Sequence, residues 1–427
     1  MPASRSAPAP TVQAPSGLPR RLAVHGLVAL TIVNLLNYLD RYVISALLPD
    51  LRGAPMHLTD TRAGALMTGF LLVYLCASPL FGALGDRGAR IRPLAIGVLL
   101  WSLATGLSGM ARNYLQLLAS RAAVGIGEAA YGTIAPALLA DYFPLGSRSR
   151  VLAVFGMAIP VGAALGYVVG GLVDHWYGWR VAFYVAGVPG LLLALWISQL
   201  PDPPRGAQER TSPRDSERTG LALYAGLMRA APYRLTVLGY AAYTFAVGGL
   251  AYWMPTFLQS TRGVPAAQAS TGFGAIVVVT GFVGTLAGGW LGDYCLRYSR
   301  EAYLWLSALV TLLAVPFASV ALTARDPHIF YPAIVLAELL LFMSSGPVNS
   351  AIINLAAPAE RASAVALSVF LIHLLGDVPS PLLIGMISDA AHSLAIAVQI
   401  VPLAILVCAA LWAWGALASR RQGAAPA

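Results

Sequence analysis

The chain has 427 residues, of which 58% are hydrophobic and only 11% charged, with a formal net charge of +9. A soluble domain carries about 25% charged residues, so this composition excludes a water-soluble enzyme, a disordered chain and a disulfide-stapled secreted domain. A basic chain can bind nucleic acid when its charge gathers on one face, but here every basic residue is an arginine placed between apolar runs and there is no lysine.

The residues Met1 to Pro19 are rich in Pro, Ala and Ser, and 1–20 reads as a disordered tail. It is not a signal peptide, because the apolar run behind it is too long and contains Asp40 and Arg41. A helix needs about 20 apolar residues to cross the hydrocarbon core. Runs of that kind predict twelve spans at 22–48, 61–84, 93–111, 114–141, 149–172, 181–200, 234–259, 268–292, 302–323, 329–356, 362–388 and 394–418. With the N-terminus inside, 19 arginines fall in inner loops and tails and six in outer loops. That asymmetry orients both termini to the cytoplasm, in a cell inner (plasma) membrane.

The first span carries Asp40 and Arg41 as neighbours, about 100° apart around a helix, so they cannot neutralise one another face to face. A charge at the bilayer centre costs roughly 2.5–3.5 kcal/mol, and such residues face a cavity or each other. The second span ends in GALGDRGAR, with Gly82, Asp86, Arg87 and Arg90. Arg121 and Glu128 stand two turns apart on one face of the fourth span, which permits the crossed pairs Asp40–Arg121 and Arg41–Glu128. Gly162, Gly166 and Gly170 in the fifth span favour close helix packing, with gating at a bundle interface as the other use.

Residues 201–233 read as a solvated cytoplasmic linker that divides a bundle at 21–200 from a bundle at 234–418, with 419–427 as a tail. Within the linker Leu221, Tyr224, Leu227 and Met228 have the spacing of an interfacial helix. In the seventh span Tyr240, Tyr243, Trp253 and Phe257 suit a lipid-tail pocket, Trp253 serving equally as an interface anchor. The eighth span ends in GWLGDYCLR, which repeats the earlier string and sets Asp293 opposite Asp86 in a two-fold repeat. Two related halves with a substrate site between them are a common build of secondary transporters. Glu338 is lone in the tenth span. His373 and Asp377 lie one turn apart in the eleventh, and Pro379 and Pro381 behind them predict a broken helix there. Neither the three cysteines nor the remaining histidines form a metal-like cluster, and no metal or cofactor is expected.

These strings resemble the major facilitator superfamily. The loop after span two matches its G-x-L-x-D-R-x-x-R signature, with Ala89 where most members have a second glycine. A closer resemblance is to the Spinster family, in particular its bacterial members. It rests on NYLDR at Asn37–Arg41, RAAVGIGEAAYGTIAPALLAD at Arg121–Asp141, AIPVGAALGYVVGG at Ala158–Gly171 and HLLGDVPSPLLIGMISD at His373–Asp389, and covers residues 21–418. The resemblance implies an all-α membrane protein of twelve transmembrane helices in two pseudo-symmetric six-helix bundles. It implies a transporter that alternates between inward-open and outward-open states, whose animal relatives move lysophospholipids and sphingolipid phosphates. Carried over by position, Asp40, Arg41, Arg121 and Glu128 match the ionisable positions of spans one and four, and His373 and Asp377 match the motif of span eleven.

The resulting expectation is a monomeric, proton-coupled secondary transporter of an amphiphilic anionic lipid-like substrate, with protons and the bilayer as its other partners and no nucleic acid. Asp40 and Glu128 are assigned the coupling proton, and Arg41, Arg121, Tyr38, His373, Asp377 and Glu338 the substrate. Gly82, Asp86, Arg87, Arg90 and Asp293 are assigned to the gates. The alternatives within the superfamily are a drug/proton antiporter and an organic-anion:proton symporter. A membrane acyltransferase using His373 and Asp377 is disfavoured, since that motif sets four residues between them and here there are three. With no lysine there is no ATP-binding loop, and the protein is not expected to be an enzyme.

Overall fold

The computed structural model describes residues 19–53, 55–87, 89–203, 221–357 and 360–423; the tail over 1–18 and most of the linker, 204–220, lie outside them. Every element described is a helix, and twelve helical spans are long and apolar enough to cross a membrane. Six precede the linker: α1 (Arg20–Leu51), α2 (Asp60–Arg87), α3 (Ile91–Met110), α4 (Tyr114–Tyr142), α5 (Leu145–Tyr177) and α6 (Trp179–Ile197). The short α7 (Leu221–Arg229) follows it, with Leu223 and Leu227 buried. Next come α8 (Ala231–Arg262), α9 (Ala266–Cys295), α10 (Ala302–Thr323) and α11 (Pro327–Asn354). The eleventh span is α12 (Arg361–Ile372), one wide π turn at His373–Asp377 and α13 (Pro379–Ala391); the twelfth is α14 (Leu394–Ala397) with α15 (Ile400–Gly423).

The eleventh span is interrupted beside its prolines, by a π turn rather than a full break. Pro379 is the first residue of α13, where a helix has no backbone N–H bond to lose. The irregularity sits one turn earlier, where the Val378 N–H reaches back to the His373 carbonyl at 3.1 Å.

The two halves repeat one packing scheme. Helix α2 packs on α4, and α3 on α4 and α6; six spans later α9 packs on α11, and α10 on α11 and α15. Lipid gives no hydrophobic drive between helices, so close backbone contact matters more than in water. The glycine stripe of α5 shows this. A Cβ on Gly162 would lie 2.4 Å from the Leu35 carbonyl oxygen, and one on Gly166 2.5 Å from that of Leu39. The stripe therefore seats α1 within the first half, which is the packing use rather than a gate between halves.

The halves meet along α2 with α13, α5 with α9, and α1 with α8. Both described ends of the chain lie on one side, since the spans between them are even in number. Cross-half hydrogen bonds among the described residues lie at the opposite side or near the middle. The Thr68 hydroxyl donates to the Val378 carbonyl at 2.6 Å, and the Tyr252 hydroxyl donates to the Ala63 carbonyl. Within the second half Trp253 is buried at this end and donates to the Pro381 carbonyl at 3.1 Å, with Phe257 also fully buried. These two aromatics close the far end of the molecule; they form neither a tail pocket nor an interface anchor.

Candidate functional site

Four charges meet in the middle of the first half. Arg41 donates to the Glu128 carboxylate at 2.8 Å, and Arg121 to the Asp40 carboxylate at 3.1 Å. Residues 121 and 128 share a face of α4 but are separated by about 10 Å of helix rise. The two long guanidinium side chains, Arg41 reaching from α1 and Arg121 from α4, cover that span, so that the adjacent α1 residues 40 and 41 meet both ends of it. Asp40, Arg121 and Glu128 are each 1% exposed and Arg41 is 8% exposed. A buried charge costs several kcal/mol unless paired and hydrogen-bonded, and each of the four has its counter-ion.

The two pairs differ in how completely they are satisfied. Asp40 also accepts from the Thr105 hydroxyl of α3, and Arg121 also reaches the Asp40 backbone carbonyl at 3.4 Å. Glu128 has only Arg41, and its other oxygen, Oε1, is buried without a hydrogen-bond partner among the described residues, as are Arg41 Nε and Asn37 Nδ2. The Arg41 guanidinium lies 4.9 Å from the Tyr38 ring centre, 5.1 Å from Phe70 and 5.4 Å from Tyr74. Phe70 also faces Arg121, at 5.7 Å. An aromatic face stabilises a desolvated cation by about 2 kcal/mol. Thr105, Phe70 and Tyr74 gave no sequence signal, because each looks like ordinary apolar filling of a helix.

Between the halves lies a cavity of about 640 Å³, lined by Tyr42 and Tyr167 from the first half and by Tyr240, Tyr243 and Phe342 from the second. Glu338 lines it, is 4% exposed and has no hydrogen-bond or ion-pair partner among the described residues. The lining extends along α9 to Phe282 and Leu286, which are more than half exposed. None of Asp40, Arg41, Arg121 and Glu128 lines this cavity; Arg41 and Glu128 line a smaller chamber of about 190 Å³ that shares Ile159 with it. His373 Nδ1 and Asp377 Oδ2 are 2.7 Å apart at the π turn, and His373 meets the edge of Tyr74. A π turn widens the backbone just where this pair faces the first half across Tyr74.

The gate candidates do not share one environment. A Cβ on Gly82 would meet nothing within 4 Å; the close approach is at Gly85, where one would lie 3.2 Å from Ile134. The side chains of Asp86 and Arg87 lie outside the described residues. Arg90 bonds Asp141 of α4, Asp202 at 3.0 Å and the Pro203 carbonyl at 2.6 Å, which ties the start of the linker to the first half. Partial burial opposes its charge, but the hydrogen bonds to Asp141 and Asp202 hold its pKa above the ordinary arginine value. Asp293 accepts from the Tyr303 hydroxyl at 2.7 Å, within the second half.

A further polar cluster joins the halves at the closed end. Asp389 of α13 accepts the first backbone N–H groups of α2, from Asp60 at 3.0 Å and Thr61 at 2.9 Å. Asp60 accepts in turn from Ser388 and from Arg52. Two glycines permit the approach. A Cβ on Gly64 would lie 2.2 Å from the Pro381 carbonyl oxygen, and one on Gly385 2.2 Å from that of Asp60.

Residues 30–381 match the Major Facilitator Superfamily. Protein spinster homolog 1 of Xenopus tropicalis is 34% identical over 419 residues, covering 92% of this chain and 79% of that protein. A sphingosine-1-phosphate transporter of the same species is 35% identical over 387 residues, covering 87% and 74%. Among solved structures, a bacterial homologue of the human lysosomal transporter Spinster in an inward-facing, unoccupied conformation has the same fold. Its TM-score is 0.84 at 23% identity, over 95% of this chain and 99% of that one.

Proposed function

The chain belongs to the Spinster family of the major facilitator superfamily, a family of transporters rather than enzymes, and from that premise we propose that it is a proton-coupled carrier of an amphiphilic anionic lipid-like molecule, working by alternating access. The observation that carries the reading is that the Arg41–Glu128 pair lines a chamber adjoining, through Ile159, a tyrosine-rich cavity of about 640 Å³. An amphiphile needs an apolar chamber for its tail and a charged contact for its head. The cavity's extension to the exposed Phe282 and Leu286 gives a tail a route from the bilayer.

In this mechanism Glu128 carries the coupling proton. Protonating it removes the counter-ion of Arg41, whose guanidinium then turns to the substrate head group, with Tyr38 beside it. Asp40 is the second proton carrier, held by Arg121 and Thr105 until the halves move. His373 and Asp377 complete the head-group site from the second half. Arg90 and Asp293, with Asp86 and Arg87, belong to the gates at the ends of α2 and α9. The protein works as a monomer whose two six-helix halves rock in the inner membrane, with both termini cytoplasmic as the arginine distribution directs. One proton crossing 100 mV supplies about 2.3 kcal/mol, enough for roughly a fifty-fold gradient.

Glu338 favours a second reading, exchange of a lipophilic cation for protons, because an unpaired carboxyl facing a tyrosine-lined cavity suits an amine. Transport of labelled lysophospholipids and lipophilic amines in proteoliposomes, with and without a pH gradient, separates the two. Glu128→Gln is expected to abolish the response to the gradient while leaving expression intact. Gradient-driven accumulation at the wild-type level in that variant would overturn the assignment.

A further inference from the structure

Asn37 Nδ2, Arg41 Nε and Glu128 Oε1 share more than their lack of partners. All three residues line one small chamber of about 190 Å³ inside the first half. The chamber begins at the Arg41–Glu128 pair and runs toward the end that carries the termini. Its α1 lining steps back from Arg41 to Asn34, and its α4 lining steps on from Glu128 to Pro136. Its lining shares only Ile159 with the tyrosine-rich cavity.

Leaving one buried polar atom unpaired costs about 1–3 kcal/mol, and more for a charged group. Three such atoms, two of them donors and one an acceptor, belong to residues that line one chamber, and polar lining of this kind holds water, which needs two to four polar partners and about 30 Å³. The volume suits about six molecules on that measure. We propose that this chamber is a water-filled proton path that connects Glu128 to the aqueous phase at the terminal end, separately from the route taken by the substrate. The inference rests on the assignment of the coupling proton to Glu128.

The step is a simple transfer. The Glu128 carboxyl O–H breaks, a chamber water gains the proton as hydronium, and the carboxylate left behind is balanced by Arg41. The ionisable groups around Glu128 are Asp40, Arg41 and Tyr38 from α1, Tyr74 from α2, and Arg121 and Tyr131 from its own helix. The His373–Asp377 pair stands beyond Tyr74 in the other half. The Tyr131 hydroxyl is already committed to the Leu30 carbonyl, at 2.5 Å. The Asn34 amide is committed to the Phe155 carbonyl, at 2.9 Å. Of the chamber's two amides, Asn37 is therefore the one free to order water next to Glu128. A separate path lets the proton leave while the substrate cavity is occupied, so the two need not queue.

The test has two arms. In protein with Cys76, Cys295 and Cys408 replaced by serine, Asn34→Cys is treated with a small charged thiosulfonate. It is expected to label, and at a rate within two-fold when Gly281→Phe fills the substrate cavity. No labelling, or a ten-fold loss on filling, overturns the separate path. In the second arm Asn37→Leu is expected to lower gradient-driven lysophospholipid accumulation at least ten-fold, with counterflow at zero gradient within two-fold of wild type. An equal fall in both places Asn37 in the substrate route and overturns the proposal. Wild-type transport without any pH response removes the proton assignment itself. A normal pH response together with no labelling of the Asn34→Cys variant removes only the chamber.

Discussion

Replacing Asp389 by alanine removes a cap that one half of the protein places on a helix of the other. Asp389 accepts two backbone N–H bonds, at 3.0 and 2.9 Å, from the start of α2. A lost capping side chain costs about 1 kcal/mol, and a hydrogen bond to a charged group contributes about 1.5–3 kcal/mol. Since Asp389 is only half-buried, about 2 kcal/mol is expected for the pair of bonds. When this end opens, the same N–H groups turn to water, so the loss falls on the closed state alone. At 1.4 kcal/mol per decade the ratio of closed to open molecules falls about thirty-fold. Asp389→Asn keeps one acceptor oxygen and should shift it by about five-fold, the effect of roughly 1 kcal/mol. Spin labels at Arg112→Cys and Arg325→Cys, both exposed at this end, report the separation of the halves by pulsed electron resonance. The native cysteines are replaced by serine, and the pH is one at which both distances are populated. An unchanged closed fraction in Asp389→Ala, or a larger shift in the asparagine variant than in the alanine one, would refute the reasoning.

Gly64→Ala should open the same end by a different route. A Cβ is not found within 3.0 Å of such an atom, so the Pro381 backbone must withdraw by roughly an ångström, at a cost of about 1–3 kcal/mol; the same spin-label pair should show the longer distance. Arg90→Lys should fail to rescue Arg90→Ala, because a single ammonium cannot reproduce the fork that serves Asp141, Asp202 and the Pro203 carbonyl together. Both variants should lower the melting temperature in detergent, with a loss of about 1–3 kcal/mol, and a lysine variant as stable as wild type would contradict that geometry.

The composition and the periodic apolar runs made the twelve spans legible, with ends that differ by only a few residues from α1 to α15. Lipid demands such runs because each span must satisfy its own backbone hydrogen bonds. Asp40, Arg41, Arg121 and Glu128 stood out for the same reason: a charge in an apolar run has an insertion cost that position alone reveals. The seven-residue spacing on α4 even limited which pairs were possible. Thr105, Phe70 and Asn37 were not legible, since a threonine, a phenylalanine or an asparagine in a helix carries no sign of the charge it will face.

By itself the sequence determined the solvent of this protein, the number of its helices, its two-fold repeat and the set of charges held within the membrane. Each of these follows from local composition or from spacing along one helix. Only the tertiary structure decided that Glu128 keeps an oxygen without a partner among the described residues while Asp40 is saturated, that Arg90 binds the linker, and that Asp389 caps α2 across the halves. The physical reason is that a hydrogen bond or a close backbone contact is short-ranged. Its partners are chosen by which helices pack together, and residues 60 and 389 become neighbours only after both halves have folded and met.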